Sequence, residues 1–150
     1  MKKYIALILS VLLTLTLFGC AEKTSDTSDV FETDIWGITL SAENVTPSGM
    51  TLKIIQSGGE FKGELEYSTD FILEIRQNQE WVAVETEKNI AWESIAYSLP
   101  ENQTTKRDIN WNFIYGELPA GHYRLCKEFM DFKDTGKYTT RTYYAEFTLY

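Results

Sequence analysis

The chain has 150 residues and a formal net charge of −8 at pH 7, and 14% of its residues are aromatic. This length provides one domain with a sizeable core and is too short for two domains of comfortable size. The acidic balance argues against proteins that hold nucleic acid or anionic lipid by charge, and the aromatic share favours strands over helices.

The first 20 residues have the three zones of a secretory signal. Lys2 and Lys3 precede an apolar run over residues 4–18, and the small residue Gly19 stands before Cys20. The run has about 15 residues, whereas a membrane-spanning helix needs roughly 20. We therefore predict a signal peptide over residues 1–19, cleaved between Gly19 and Cys20. The mature chain would keep 12 basic and 22 acidic residues, a net charge of −10.

The tetrapeptide Leu17-Phe18-Gly19-Cys20 resembles the lipobox of bacterial lipoproteins, although Phe18 stands where a smaller residue is commoner. The resemblance implies that the Cys20 thiol takes up a diacylglyceryl group as a thioether. Two acyl chains are about what stable anchoring requires. The alternative, an uncleaved membrane helix with an incidental cysteine, is disfavoured by the short apolar run. The expected location is the outer face of the bacterial cytoplasmic membrane.

Residues 20–36 are predicted to be the lipidated cysteine and a disordered tether, since residues 21–34 are polar, aperiodic and rich in Ser, Thr and acidic side chains. The folded domain is predicted over residues 37–150. The tether would let the domain sample many orientations above the bilayer.

From residue 37 onward, short runs of alternating apolar and polar residues are separated by turn signals. We predict strands at residues 38–43, 50–56, 71–76, 81–84, 91–99, 105–111, 123–129 and 137–150, with a short edge piece within residues 61–67. In the last strand, Tyr143, Ala145 and Phe147 are expected to face the core, and Tyr144 and Glu146 the solvent. The pattern predicts an all-β, antiparallel sandwich of seven or eight strands, with an open barrel as the alternative.

The stretch from residue 109 to residue 128 joins two apolar strands through a corner punctuated by Gly and Pro. Within it, Leu118, Pro119, Gly121 and Tyr123 resemble a tyrosine corner, in which a buried ring closes one end of a sandwich and its hydroxyl bonds to the backbone upstream. Antibody domains carry a disulfide cysteine two residues after that tyrosine. Leu125 stands there in this chain, so we expect apolar packing to clamp the sheets.

A wider set of residues resembles a bacterial immunoglobulin-like (Ig-like) domain of surface lipoproteins in Gram-positive bacteria. The resemblance covers residues 37–150 and implies an Ig-like sandwich, a fold that hosts many unrelated roles. It is carried by Trp111, Tyr115, Gly116, Leu118, Pro119, Gly121, Tyr123 and Arg124, by the turn over residues 45–52, and by the strand over residues 79–84.

The usual catalytic and metal-binding patterns do not occur in the sequence: it has no Gly-x-Ser-x-Gly elbow, no Gly-rich phosphate loop and no His-Glu-x-x-His motif. We therefore expect no enzymatic activity, no cofactor and no metal. Cys126 is interpreted as a small strand hydrophobe, and His122, the sole histidine, as structural or exposed. Residues 131–136 superficially resemble a calcium loop, but are interpreted as a hairpin turn. The acidic pairs Glu64 and Glu66, and Glu85 and Glu87, are interpreted as solvated.

The aromatic residues remain as candidates for binding. Tyr144 and Tyr150 are predicted to face a ligand, because adjacent residues of a strand point to opposite faces and exposed rings can stack on sugars or anchor a partner. Trp81 and Trp111 are expected to fill the core between the sheets.

The leading hypothesis is a non-enzymatic, monomeric surface lipoprotein. Its Ig-like domain would serve binding, adhesion or assembly through an unknown protein or glycan ligand, and not nucleic acid. One alternative is an extracytoplasmic accessory or regulatory subunit of a membrane sensor or transporter. Another is a carbohydrate-binding module that uses Tyr144 and Tyr150.

Overall fold

A computed structural model describes residues 35–86, 90–93 and 95–150. The predicted signal peptide, the lipobox with Cys20, and the tether up to residue 34 lie outside the described residues. Trp36 is buried in the core and its ring lies 6.4 Å from that of Tyr143, so packing begins one residue before the predicted boundary at residue 37. The elements are the strands β1 (Ile38–Thr46), β2 (Gly49–Gln56), β3 (Glu64–Tyr67), β4 (Ile72–Gln77), β5 (Glu80–Ala83), β6 (Tyr97–Ser98), β7 (Thr104–Asn110), β8 (Gly121–Asp134) and β9 (Lys137–Leu149), and the helix α1 (Asn112–Tyr115).

The strands form two antiparallel sheets, which confirms the predicted all-β, Ig-like sandwich. The smaller sheet has the order β1-β2-β7. The larger sheet is centred on β8, which pairs with β9 along one edge. On its other edge, β8 pairs first with β4, at residues 123–126, and then with β3, at residues 129–132. The described residues thus contain nine strands, against the seven or eight predicted.

The turns follow from local sequence. Asn78 and Gln79 both have positive φ angles, +50° and +71°, and join β4 to β5 as a two-residue hairpin of the type whose twist matches that of paired strands. Pro47 and Ser48 turn β1 into β2, where Thr46 Oγ1 donates to the Gly49 carbonyl at 3.0 Å. Residues 131–136 end β8 and turn the chain into β9, as the hairpin interpretation predicts.

The core lies between the two sheets. Leu52 and Ile54 of β2 and Leu73, Leu125 and Phe129 of the larger sheet are among its least exposed residues. At one end three rings stack: the Trp111 and Phe147 centroids lie 5.4 Å apart, and those of Phe147 and Tyr123 lie 5.6 Å apart. Apolar packing and stacked rings therefore hold the sheets together where antibody domains have a disulfide.

Two strand predictions were wrong in detail. The strand expected over residues 91–99 is reduced to β6: among its described residues, Tyr97 and Ser98 pair with β3, and the Leu99 amide donates to the Leu65 carbonyl at 2.7 Å. Upstream of it, Trp92 packs on the Phe71 ring at 5.2 Å. The piece expected at an edge within residues 61–67 is β3, which has β8 on one side and β6 on the other.

Candidate functional site

The predicted corner closes one end of the sandwich. Tyr123 is 1% exposed, and its hydroxyl donates to the Pro119 carbonyl at 3.0 Å. Leu118 is buried, and its amide donates to the Pro47 carbonyl at 2.9 Å. A Cβ at Gly121 would lie 2.9 Å from Cε2 of Tyr123, so the ring needs glycine there. These contacts give the four corner residues a structural role.

Cys126 is buried on β8 with its side chain on the outer face of the larger sheet, beside Glu74 and Arg124. Burial, reinforced by a hydrogen bond to Glu74 and by its charge, raises the pKa of the thiol to about 12. The reactive form of cysteine is the thiolate. Cys126 is therefore protonated, and poorly suited as a nucleophile, at neutral pH.

His122 is exposed on the same face. Its Nε2 lies 3.1 Å from Glu146 Oε2, and its ring centroid lies 5.4 Å from that of Trp81. Thr148 Oγ1 lies 3.4 Å from Nδ1. These neighbours fix the orientation of the imidazole on the sheet surface. Glu146 is the one carboxylate among its described hydrogen-bond partners.

Two of the acidic candidates, Asp131 and Glu64, are held by protein groups. Asp131 is buried, and its carboxylate accepts the amides of Lys62 at 2.9 Å and Gly63 at 2.6 Å. Glu64 accepts the Ser98 hydroxyl at 2.5 Å. Within the described part of the chain, no three His, Cys, Asp or Glu residues are grouped closely enough to hold a metal ion. Glu87 lies outside the described residues.

Both tyrosines predicted to face a ligand lie at the surface, but in different settings. Tyr144 projects from the middle of β9 and is 46% exposed. Tyr150 follows the end of β9 and is fully exposed. The structure does not bring them together into one site. Tyr144 belongs to a larger cluster, and Tyr150 does not.

The cluster is a row of alternating cationic and aromatic side chains on the outer face of the larger sheet, which we name the cation–aromatic ladder. The Arg76 guanidinium lies 5.1 Å from the Trp81 ring centroid. Arg124 lies 4.5 Å from the same ring and 4.1 Å from that of Tyr144. The ladder thus consists of Arg76, Trp81, Arg124 and Tyr144, supplied by β4, β5, β8 and β9.

The registers of the paired strands bring the four ladder residues side by side. Arg76 is the partner of Trp81 in the β4–β5 hairpin, and Arg124 is the partner of Glu74 in β4 and of Glu146 in β9. Arg124 Nε donates to Glu74 Oε2 at 2.5 Å, which anchors the guanidinium between the two rings. Cation–π contacts contribute about 0.5–1 kcal/mol each at exposed sites and more when desolvated. The row is therefore held in place without a ligand.

The expectation that Trp81 fills the core was wrong. In the residues of β5, apolar side chains occupy both faces, so alternation alone does not decide which face is buried. Pairing decides it, since Trp81 shares the face of Arg76 and Val82 shares that of Ile75. The face of Trp81 was predictable from the sequence, because a two-residue turn at Asn78 and Gln79 fixes the register of β4 against β5.

Chemically, the ladder presents guanidinium groups, aromatic rings and neighbouring carboxylates on the outer face of four paired strands. One face of the Tyr144 ring is covered by Arg124, which reduces the surface on which a sugar could stack. Ile72 is 55% exposed and lies in the same cross-strand row as Cys126 and Tyr144, adding apolar surface. Trp, Tyr and Arg are the residue types that dominate binding energy at protein interfaces.

The described part of the chain contains no helix with the length and hydropathy of a transmembrane segment. In a comparison with protein families, the family described as bacterial Ig-like domain matches residues 34–148. Comparison with curated proteins returned no match. Comparison with solved structures also returned none.

Proposed function

Because the chain belongs to the bacterial Ig-like domain family, we propose that it is a non-enzymatic lipoprotein that displays a binding module outside the bacterial cytoplasmic membrane. Ig-like domains act as surface binding or structural modules on many proteins. The proposal joins this role to two features of the chain, the lipobox-like segment ending at Cys20 and the cation–aromatic ladder.

The proposed cellular location is supported by residues 1–20. Lys2 and Lys3, a short apolar run, and Gly19 before Cys20 together support export, lipidation and retention at the outer face of the cytoplasmic membrane. A strongly acidic domain gains nothing from contact with anionic lipid, so the lipid chain and not surface charge would hold it there.

Replacing Cys20 by serine is expected to leave the precursor uncleaved and without lipid, because serine lacks the thiolate that accepts the diacylglyceryl group. Mass spectrometry of the chain from membrane fractions measures both changes. The matched control is Cys126→Ala, which removes the other cysteine and should leave processing intact. A lipid-modified mature chain from the Cys20→Ser variant would contradict the proposed address.

The ladder is the observation that carries the binding role. It combines a tryptophan, a tyrosine and two arginines on four paired strands, beside the exposed side chain of Ile72. Protein interfaces enrich these residue types at their centres and surround them with polar groups, as Glu74, Glu146 and His122 do here. We assign this face to a protein partner in the cell envelope.

Site-specific photo-crosslinking in intact cells tests the assignment. A photoreactive amino acid at Ile72, beside the ladder, should give one dominant protein adduct. The same amino acid at Thr39, exposed on β1 of the other sheet, should give none. Adding Tyr144→Ala to the Ile72 variant should reduce the adduct by about tenfold, the cost of losing one central contact residue.

The identity of the adduct decides the class of role. An integral-membrane protein would make the chain an accessory subunit of a sensor or transporter, and a surface protein would assign it to assembly or adhesion. Equal adducts from Ile72 and Thr39, or an Ile72 adduct that Tyr144→Ala leaves unchanged, would refute the use of this face.

A further inference from the structure

A cleft of about 320 Å³ opens between the two sheets on the side of β7, away from the ladder. Its lining includes Tyr67 of β3, Tyr97 of β6, Arg107 of β7 and Lys127 of β8. Sites for small molecules in proteins have volumes of about 300–1,000 Å³, so this cleft suits a small ligand. Leu52, Phe71 and Ile109 add apolar surface to the lining.

Two cationic side chains line the cleft, one from each sheet. The Arg107 guanidinium and the Lys127 ammonium both lie 5.8 Å from the centroid of the Tyr67 ring. The chain as a whole carries a net charge of −8, so a local pair of cations runs against its overall balance. A cleft lined by positive charges attracts an anion.

Within the described part of the chain, the terminal guanidinium nitrogens of Arg107 have no protein acceptor, because its one hydrogen bond is made by Nε. Its Nε donates to the Tyr67 hydroxyl at 2.8 Å, and its guanidinium stacks over the Tyr97 ring at 4.6 Å. Among the described residues, no carboxylate lies within ion-pair distance of Arg107. Asp108, the neighbouring acid on the lining, is engaged with the Thr51 hydroxyl at 2.9 Å. The terminal nitrogens of Arg107 are thus oriented by two tyrosines and available to an acceptor.

Lys127 adds a second positive charge at the inner end of the cleft, where its side chain is only 4% exposed. Its ammonium donates to the carbonyls of Ser68, at 2.6 Å, and of Asp70. The Asp70 carboxylate lies 3.8 Å away, beyond hydrogen-bond distance. Lys127 is therefore fixed by backbone carbonyls and lies within ion-pair distance of one carboxylate, that of Asp70, whereas Arg107 has none among the described residues.

From this geometry we infer that the cleft binds a small carboxylate with a planar or apolar body. Arg107 would receive the carboxylate through its terminal nitrogens, since guanidinium and carboxylate match as a two-bond pair. Lys127 would favour the negative charge from the inner end, and the body would pack against Tyr97, Phe71 and Ile109. The two sources of this chemistry are a free organic acid and the terminal carboxylate of a peptide. The inference does not depend on the partner of the ladder.

Nuclear magnetic resonance titration of the full chain in detergent micelles tests the inference with benzoate and its neutral counterpart benzamide. Benzoate should shift the ring signals of Tyr67 and Tyr97 and bind about tenfold more tightly than benzamide, because a charged hydrogen bond is lost in the amide. Arg107→Gln should abolish that preference. Arg107→Lys keeps the positive charge but loses the paired guanidinium donors, so it should reduce the preference for benzoate in part.

The matched control is Lys106→Gln, which removes the adjacent exposed cation paired with Glu43 and should leave both affinities unchanged. A second pair of probes, N-acetylphenylalanine and its amide, separates the two sources. Tighter binding of N-acetylphenylalanine than of benzoate assigns the site to a peptide terminus, and the reverse assigns it to a free acid. No binding of either acid, equal binding of acid and amide, or a preference that survives Arg107→Gln would overturn the inference.

Discussion

Replacing Trp111 by alanine is expected to lower the free energy of unfolding by about 3–5 kcal/mol, the range for truncating a large buried aromatic side chain. Trp111 is 0% exposed, stacks on Phe147, and donates from Nε1 to the Pro47 carbonyl at 2.7 Å. Alanine would leave a cavity at the end of the core and remove one of the two hydrogen bonds that the Pro47 carbonyl accepts, the other coming from the Leu118 amide. Urea unfolding followed by circular dichroism measures the loss.

Phe113 provides the matched control, since it lies two residues away in α1 and is 68% exposed. Phe113→Ala should change the unfolding free energy by less than about 0.5 kcal/mol, as surface substitutions usually do. If both variants lost the same stability, or Trp111→Ala lost none, Trp111 would not be part of the buried column with Phe147 and Tyr123.

The second large effect is a pH dependence that arises from Lys127. Burial lowers the pKa of its ammonium from 10.5 to about 8, against the opposing influence of Asp70 and Glu128. Below pH 8 the group is charged in both states, and folding carries the cost of burying that charge. Between pH 8 and 10.5 the folded protein loses the proton while the unfolded chain keeps it, so stability rises with pH.

Lys127→Met removes this titration. The difference in unfolding free energy, wild type minus variant, is expected to increase by roughly 3 kcal/mol between pH 7 and pH 10.5, since each pKa unit corresponds to about 1.4 kcal/mol. Taking the difference is necessary because Cys126, Tyr115 and Tyr123 titrate in the opposite sense. Burial raises the pKa of each, which lowers stability at high pH.

Lys106→Met is the control for this profile, because Lys106 is exposed on the neighbouring sheet and paired with Glu43. Its difference from wild type should remain flat over the pH range in which Lys127 titrates. A flat difference for Lys127→Met as well would mean that the lysine is not buried as charged ammonium in the folded protein.

Alternation along the chain was sufficient to predict the last strand. It placed Ala145 and Phe147 in the core and Tyr144 and Glu146 in solvent, and the structure has them so. Because one face of this strand is packed and the other is solvated, apolar and polar residues alternate clearly along it. Between residues 91 and 99 alternation predicted too long a strand, because a strand also needs a partner with free hydrogen-bonding groups. Among the described residues of this stretch, β3 provides such groups for Tyr97, Ser98 and the Leu99 amide.

The same alternation puts Lys127 on the inward face, between Leu125 and Phe129. The sequence does not show which hydrogen-bond acceptors stabilise the buried Lys127 ammonium. The carbonyls that receive the Lys127 ammonium belong to Ser68 and Asp70, more than fifty residues away, and their approach depends on how β3 and β4 follow one another along β8. The cleft with Arg107 was hidden for the same reason.

The ladder shows an intermediate case. Its β4–β5 half follows from the two-residue turn at Asn78 and Gln79, which fixes Arg76 opposite Trp81. Its second half requires β4 to lie beside β8 and β9 beside β8 in the observed registers, so that Arg124 enters between Trp81 and Tyr144. Local sequence patterns therefore predict single cross-strand pairs such as Arg76 and Trp81, whereas the complete row depends on how all four strands pair.

Hydroxyl-radical footprinting compared between intact cells and the purified chain tests the central claim, that the ladder face is covered by a protein partner. Exposed aromatic rings oxidise readily, so the comparison reads coverage at each ring. We predict that Trp81 and Tyr144 are oxidised several-fold less in cells than in the purified chain, while Phe113, exposed in α1, is oxidised equally in both. Equal oxidation of Trp81 and Tyr144 in the two settings would contradict the claim.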